Sequence, residues 1–134
     1  MKKAILDTDT VSMFLKGNEH VASKIKSHLD THGPVSLSVI TYYEILNGLL
    51  YKDANKQLSV FERFVKLNKV ISLNVEAADA AAKIEAVLRV KGKVIGHTDT
   101  LIAGAAIAAG LQLITNNTEH FKRVKDLDIA NWTK

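Results

Sequence analysis

The chain has 134 residues, 47% hydrophobic and 24% charged, with a net charge of +4. That balance fits one globular domain over residues 1–134, large enough to bury about two-thirds of its unfolded surface. No cysteine is present, which excludes disulfides and thiolate metal sites.

Residues 3–6 read as a first strand, the apolar Ala4-Ile5-Leu6 leading directly into Asp7-Thr8-Asp9-Thr10. Asp7 arrives too early for a secretion signal. Val11, Phe14 and Leu15 predict a short helix stopped at Gly17, and Val21, Ala22, Ile25 and Leu29 a longer one ending near Gly33-Pro34. Residues 35–38 form a second strand. A helix follows from about Thr41, carrying Ile45, Leu46, Leu49 and Leu50, and Leu58, Phe61, Phe64 and Val65 mark the next. These last aromatic and aliphatic positions suit a core or an interface equally well. Residues 70–73 are a third strand. The alanine-rich stretch 76–91 is a helix with Ile84, Val87 and Leu88 on one face, Glu85 four residues before Arg89, and Gly92 as its stop. The helix over 98–109 is small and aliphatic on nearly every face, which suits close approach to a sheet. Residues 111–115 are a fourth strand and 127–129 a fifth at an edge.

The uncharged stretch 100–118 is broken at Gly104, Gly110 and Gln112, so it reads as a buried helix and strand, not a membrane span. A cytoplasmic protein is the expectation. Strands alternating with helices predict an α/β fold, a mostly parallel sheet of four to five strands covered on both faces.

Three acids converge in that scheme. Asp7 ends the first strand, while Glu44 and Asp99 fall in the first turns of the helices after the second strand and before the fourth. In a parallel sheet all three lie at the carboxyl edge, where ligand sites form. Carboxylates brought together repel, and a hard divalent ion relieves the repulsion. Such an ion polarises a phosphodiester and lowers the pKa of water. Capping is the competing reading: Thr41-Tyr42-Tyr43-Glu44 has the form of a capping box, and Asp9 is placed to cap the first helix. His28 and His32 share the i, i+4 spacing of metal ligands but lack the glutamate of a zinc-protease motif, so both are read as solvated. His97 and His120 flank the acids in sequence, within reach of a substrate; neither is assigned as a general base.

Taken together, these blocks resemble the PIN domain, and within it the VapC toxins of toxin–antitoxin pairs, over essentially the whole chain. Ile5-Leu6-Asp7-Thr8-Asp9 is similar to the opening block, where the family more often has Asp-Thr-Asn. The stretch from Ser38 to Gly48 resembles the block around the metal-binding glutamate, Asp99-Thr100-Leu101-Ile102-Ala103-Gly104-Ala105 the third, Leu113 to Phe121 the fourth, and Asn131-Trp132 the ending. The resemblance implies a three-layer α/β/α PIN-like fold and a Mg2+- or Mn2+-dependent endoribonuclease with Asp7, Glu44 and Asp99 as metal-binding carboxylates. Asp9, Thr115, Asn117 and Glu119 take supporting places. Water attack on the phosphodiester would leave a 5′-phosphate and a 3′-hydroxyl. A homodimer and a VapB-type antitoxin whose tail covers the active-site groove are also implied. Subgroups with this Asn-Asn-Thr block look like those that cut the anticodon stem-loop of initiator tRNA.

One departure bears on a second metal. Many PIN domains carry a fourth acid where this chain has Asn117, and others of this subgroup have a glutamate directly before the phenylalanine. Here His120 precedes Phe121 and the glutamate stands one position earlier, at Glu119. One residue turns a helical side chain by about 100°. RNA contact is expected from Lys91 and Lys93 in the loop before the Asp99 helix, and from Lys122, Arg123 and Lys125 after the fourth block. Two other readings compete. Leu6-Asp7-Thr8-Asp9-Thr10-Val11 also fits the nucleophile loop of a haloacid dehalogenase-like phosphohydrolase, with Ser38 as its phosphate-binding hydroxyl; its magnesium loop would have His97 where an acid is usual. The altered fourth block also leaves room for a PIN fold that binds RNA without cutting it.

Overall fold

The computed structural model describes all 134 residues. Five short strands make one sheet: β1 (Ala4–Leu6), β2 (Ser36–Ser38), β3 (Lys69–Ile71), β4 (Gln112–Ile114) and β5 (Ile129–Ala130). Their spatial order is β3-β2-β1-β4-β5, and every neighbouring pair is parallel. Seven helices surround it: α1 (Thr8–Leu15), α2 (Glu19–His32), α3 (Val39–Tyr51), α4 (Asn55–Leu67), α5 (Val75–Val90), α6 (His97–Ala109) and α7 (Thr118–Phe121). This is the expected α/β architecture, with its fifth strand present two residues later than the pattern placed it. No helix is long and apolar enough to cross a membrane.

Strand periodicity divides the core in two. Successive residues of a strand face opposite sides of the sheet. Accordingly Ala4, Leu6, Leu37 and Ile114 pack with Val11, Val21, Ile45, Leu49, Phe61, Phe64 and Trp132 on one face. Ile5 and Leu113 pack with Ala77, Leu88, Ile102, Ala103, Ala105, Ala106 and Phe121 on the other. Phe61 and Phe64 are therefore core residues, and Val65 packs against the same cluster.

Several local expectations are corrected. Helix α3 starts at Val39, because the Ser38 hydroxyl accepts the Thr41 N–H at 3.0 Å and caps it. The Thr41–Glu44 capping box is thus not formed, and Glu44 lies in the second turn. Asp9 is not the cap of α1; Asp7 is, accepting the Thr10 N–H at 2.8 Å. Helix α6 packs against Ile5 and Leu113 of the sheet as expected, and its bare flank also meets a helix: a Cβ on Gly104 would stand 2.5 Å from the Ala77 carbonyl and 2.8 Å from the Ala81 Cβ. His28 is buried rather than solvated. Its Nε2 accepts the Ala4 N–H at 3.0 Å and its Nδ1 lies 2.7 Å from the Gly33 carbonyl, which fixes the neutral Nδ1–H tautomer. That ring ties the entry of β1 to the end of α2.

Candidate active site

Because every strand runs the same way, the carboxyl ends of β1, β2 and β4 share one edge, and α6 begins there. Asp7 is the buried member of the site, only 3% exposed. Its N–H donates to the Ile114 carbonyl at 3.0 Å, locking it to the end of β4, and the Thr10 hydroxyl donates to the same carbonyl at 2.9 Å. Burial pushes the Asp7 carboxyl up to about 6, and the Asp9 charge adds to the rise; hydrogen bonds from Thr115 and Thr10 pull against it.

Asp99 lies in the first turn of α6 with its side chain 32% exposed. Its carboxyl is also raised, first by burial and then by the charges of Glu44 and Asp9, while His120 lowers it. His120 Nδ1 stands 4.0 Å from Asp99 Oδ2 and 2.9 Å from Asn117 Nδ2. Glu44 accepts a hydrogen bond from the Thr8 hydroxyl at 2.6 Å. Neither Glu44 nor Asp99 caps a helix, so capping accounts for Asp7 alone.

Among the supporting positions, Asp9 is exposed on the first turn of α1, and its charge reaches both Asp7 and Asp99. Buried Thr115 accepts the Asn117 N–H at 2.9 Å, which leaves its own proton for Asp7. Glu119 turns away: it is 78% exposed and pairs with Lys122 at 2.8 Å. Lys91 and Lys93 are exposed in the loop before α6, and Arg123 reaches that loop at the Val94 carbonyl. The sequence does not single out Thr8 as the partner of Glu44, nor Thr41 and Ser38 as the hydroxyls behind Thr8. Their only signal was position, beside Asp7 and at the end of β2.

No three Asp, Glu or His side chains are near enough to one another to chelate an ion as a cage. The four carboxylates at this edge nevertheless offer only oxygens, with the His120 ring 4.0 Å from Asp99, and no lysine or arginine is paired with Asp7, Asp9, Glu44 or Asp99. A set of partly hydrated, mutually repelling carboxylates fits a hard cation that keeps several waters, as Mg2+ does.

The chain is similar to known proteins over nearly its whole length. The family model "PIN domain" matches residues 4–127. The tRNA(fMet)-specific endonuclease VapC of Salmonella typhimurium is 33% identical, covering 98% of this chain and 99% of the relative. The enzyme of the same name from Shigella flexneri is 31% identical over 99% of this chain and 100% of its own. The crystal structure of DNA-bound VapBC from Salmonella typhimurium superposes with a TM-score of 0.89 at 31% identity, covering 98% and 99% of the two chains. VapBC2 from Rickettsia felis, bound to a DNA fragment from its promoter, gives a TM-score of 0.88 at 26% identity over 96% and 98%. The dehalogenase-like alternative gives way to these matches. The chain belongs to the PIN-domain family, in its VapC branch.

Proposed function

We propose that this protein is a divalent-metal-dependent endoribonuclease, acting in the cytoplasm on structured RNA of the tRNA anticodon stem-loop class. The observation that carries this reading is the placement of Asp7, Glu44 and Asp99 toward one sheet edge, where the charges of Glu44 and Asp9 act on Asp99 and no lysine or arginine is paired with any of them. Asp7, Glu44 and Asp99 would hold Mg2+, or Mn2+ in its place. When bound, the ion supplies the Lewis acidity that makes a phosphodiester susceptible to water. The chain's own residues prepare for it. Thr115 and Thr10 favour the ionised form of buried Asp7. Lys91, Lys93, Lys122 and Arg123 would meet RNA phosphates; Arg123 reaches the loop of Lys91 and Lys93 at the Val94 carbonyl, and Lys122 is held by Glu119. The products would carry a 5′-phosphate and a 3′-hydroxyl. The names of the Salmonella and Shigella relatives support initiator tRNA as the substrate to try first. The VapBC complexes among the solved neighbours support a VapB-type antitoxin as partner; an antitoxin tail that covers this edge, and a toxin homodimer, complete the proposal.

The test is to incubate purified protein with initiator tRNA and an elongator tRNA, with Mg2+ and with excess chelator, and to analyse the new ends. The expected result is Mg2+-dependent cleavage of initiator tRNA leaving 5′-phosphates. Cleavage that persists in chelator would overturn the metal-dependent reading. Retention of the tRNA without cleavage in Mg2+ or Mn2+ would turn the assignment to a non-cleaving RNA-binding PIN fold.

A further inference from the structure

We propose that Thr8 is a positioning residue for Glu44, at the end of a directed chain of hydroxyls that runs Ser38, Thr41, Thr8 and stops at the Glu44 carboxylate. This rests on the reading of Glu44 as a metal-holding carboxylate and goes beyond it by assigning what holds that carboxylate in place.

The direction of the chain follows from proton counting. An ionised carboxylate only accepts, so the 2.6 Å contact between Thr8 Oγ1 and Glu44 Oε1 uses the single hydroxyl proton of Thr8. The 3.1 Å contact between Thr8 and Thr41 must then be a donation from Thr41. Thr41 in turn receives the Ser38 hydroxyl proton at 3.4 Å, while Ser38 accepts the Thr41 N–H at 3.0 Å. Every hydroxyl proton points toward Glu44, and hydrogen bonds aligned in this way polarise one another in the same sense. Ser38 and Thr41 are buried, which shields the chain from competing water. Glu44 Oε1 is thereby fixed, and Oε2 makes no hydrogen bond to the protein. The chain also joins two parts of the site that are remote in sequence. Thr8 is bonded covalently to Asp7 and begins α1, whereas Glu44 sits in the second turn of α3.

The threonine separates a hydroxyl role from a packing role, because valine keeps its shape and serine keeps its hydroxyl. On the full-length protein, Mn2+ affinity is measured by calorimetry for wild type, Thr8→Val, Thr8→Ser, Glu44→Gln and the Thr8→Val/Glu44→Gln pair. Outer hydrogen-bond partners of metal ligands typically contribute about 10–100-fold to affinity. Thr8→Val is expected to weaken Mn2+ binding by that factor, and Thr8→Ser to return it to within about threefold of wild type on the same scale. The pair is expected to lose no more than Glu44→Gln alone, because Thr8 acts through Glu44. If Thr8→Val does not fold, Thr8→Ala removes the same proton donor and is read in its place. Wild-type affinity in Thr8→Val, or a loss in Thr8→Ser that exceeds it, overturns the role of Thr8 and leaves the carboxylate site standing. Absence of Mn2+ binding by wild type overturns both.

Discussion

At Asp7 the burial of a carboxylate translates into a pH dependence. Its carboxyl is raised from 3.8 to about 6 in the folded protein. The folded state therefore binds a proton more readily than the unfolded chain, and ion-free stability falls as pH rises from about 4 to 6. Above that window the penalty is complete, roughly 3 kcal/mol. Asp7→Asn preserves a good cap and removes the charge. In chelator it is expected to melt higher than wild type at pH 7.5 and close to wild type at pH 4; a lower melting temperature at pH 7.5 would contradict the assignment. His28 acts with the opposite sign. Burial lowers it below its ordinary 6.5, so its contribution is complete above that pH and drains away as pH falls. The difference between the acid limbs of Asp7→Asn and Asp7→Asn/His28→Leu unfolding profiles separates this effect from the shifted carboxyls of Asp99, Glu119 and Asp128. His28→Leu strands the Ala4 N–H and the Gly33 carbonyl together, and about 3 kcal/mol is the expected loss in urea unfolding at pH 7.5.

Among the elements, α6 depends on its closest neighbour. A methyl at Gly104 would press on the backbone of α5 at Ala77 and Ala81. Overpacking of this kind typically costs about 2 kcal/mol and outweighs the gain of about 1 kcal/mol from replacing a helical glycine by alanine. Gly104→Ala is expected to lower the urea midpoint, and an unchanged midpoint would show that the two helices can separate freely. The helix itself was legible in sequence to within one residue, as was a sheet covered on both faces, in which Ile5 is buried on one side and Leu6 on the other. The start of α3 was not, because Thr41-Tyr42-Tyr43-Glu44 imitates a cap that Ser38 provides three residues earlier. His28 was misread for a different reason. Its neighbours along α2 are polar, and what buries it comes from the start of β1 and the end of the chain, where Trp132 packs beside the ring. The three carboxylates could be listed from sequence because a parallel sheet brings its strand ends to one edge. Which hydroxyl serves which carboxylate is set by distances of a few tenths of an ångström between separate elements, and no local pattern encodes that.

For the whole molecule, the net charge of +4 matters by its distribution. Lys91 and Lys93 are exposed in the loop leading to Asp99, whereas Lys122 is already engaged by Glu119. Each phosphate contact adds about 0.7–0.9 to the steepness of the log affinity against log salt relation. In the Glu44→Gln background, replacing Lys91 and Lys93 together by alanine is expected to weaken tRNA binding and flatten that slope by about 1.5. A filter-binding titration from low to moderate salt checks it, and an unchanged slope would remove these lysines from the RNA path.

The central claim is that Asp7, Glu44 and Asp99 act as one unit. Single-turnover cleavage of initiator tRNA in Mg2+ by Asp7→Asn, Glu44→Gln, Asp99→Asn and the triple variant tests it most directly. Groups that work together are strongly non-additive. Each single variant is expected to lose about a hundredfold or more, near 3 kcal/mol of barrier, and the triple variant little beyond that. A Glu44→Gln enzyme with the wild-type rate, or three losses that multiply in the triple variant, would contradict a single shared site.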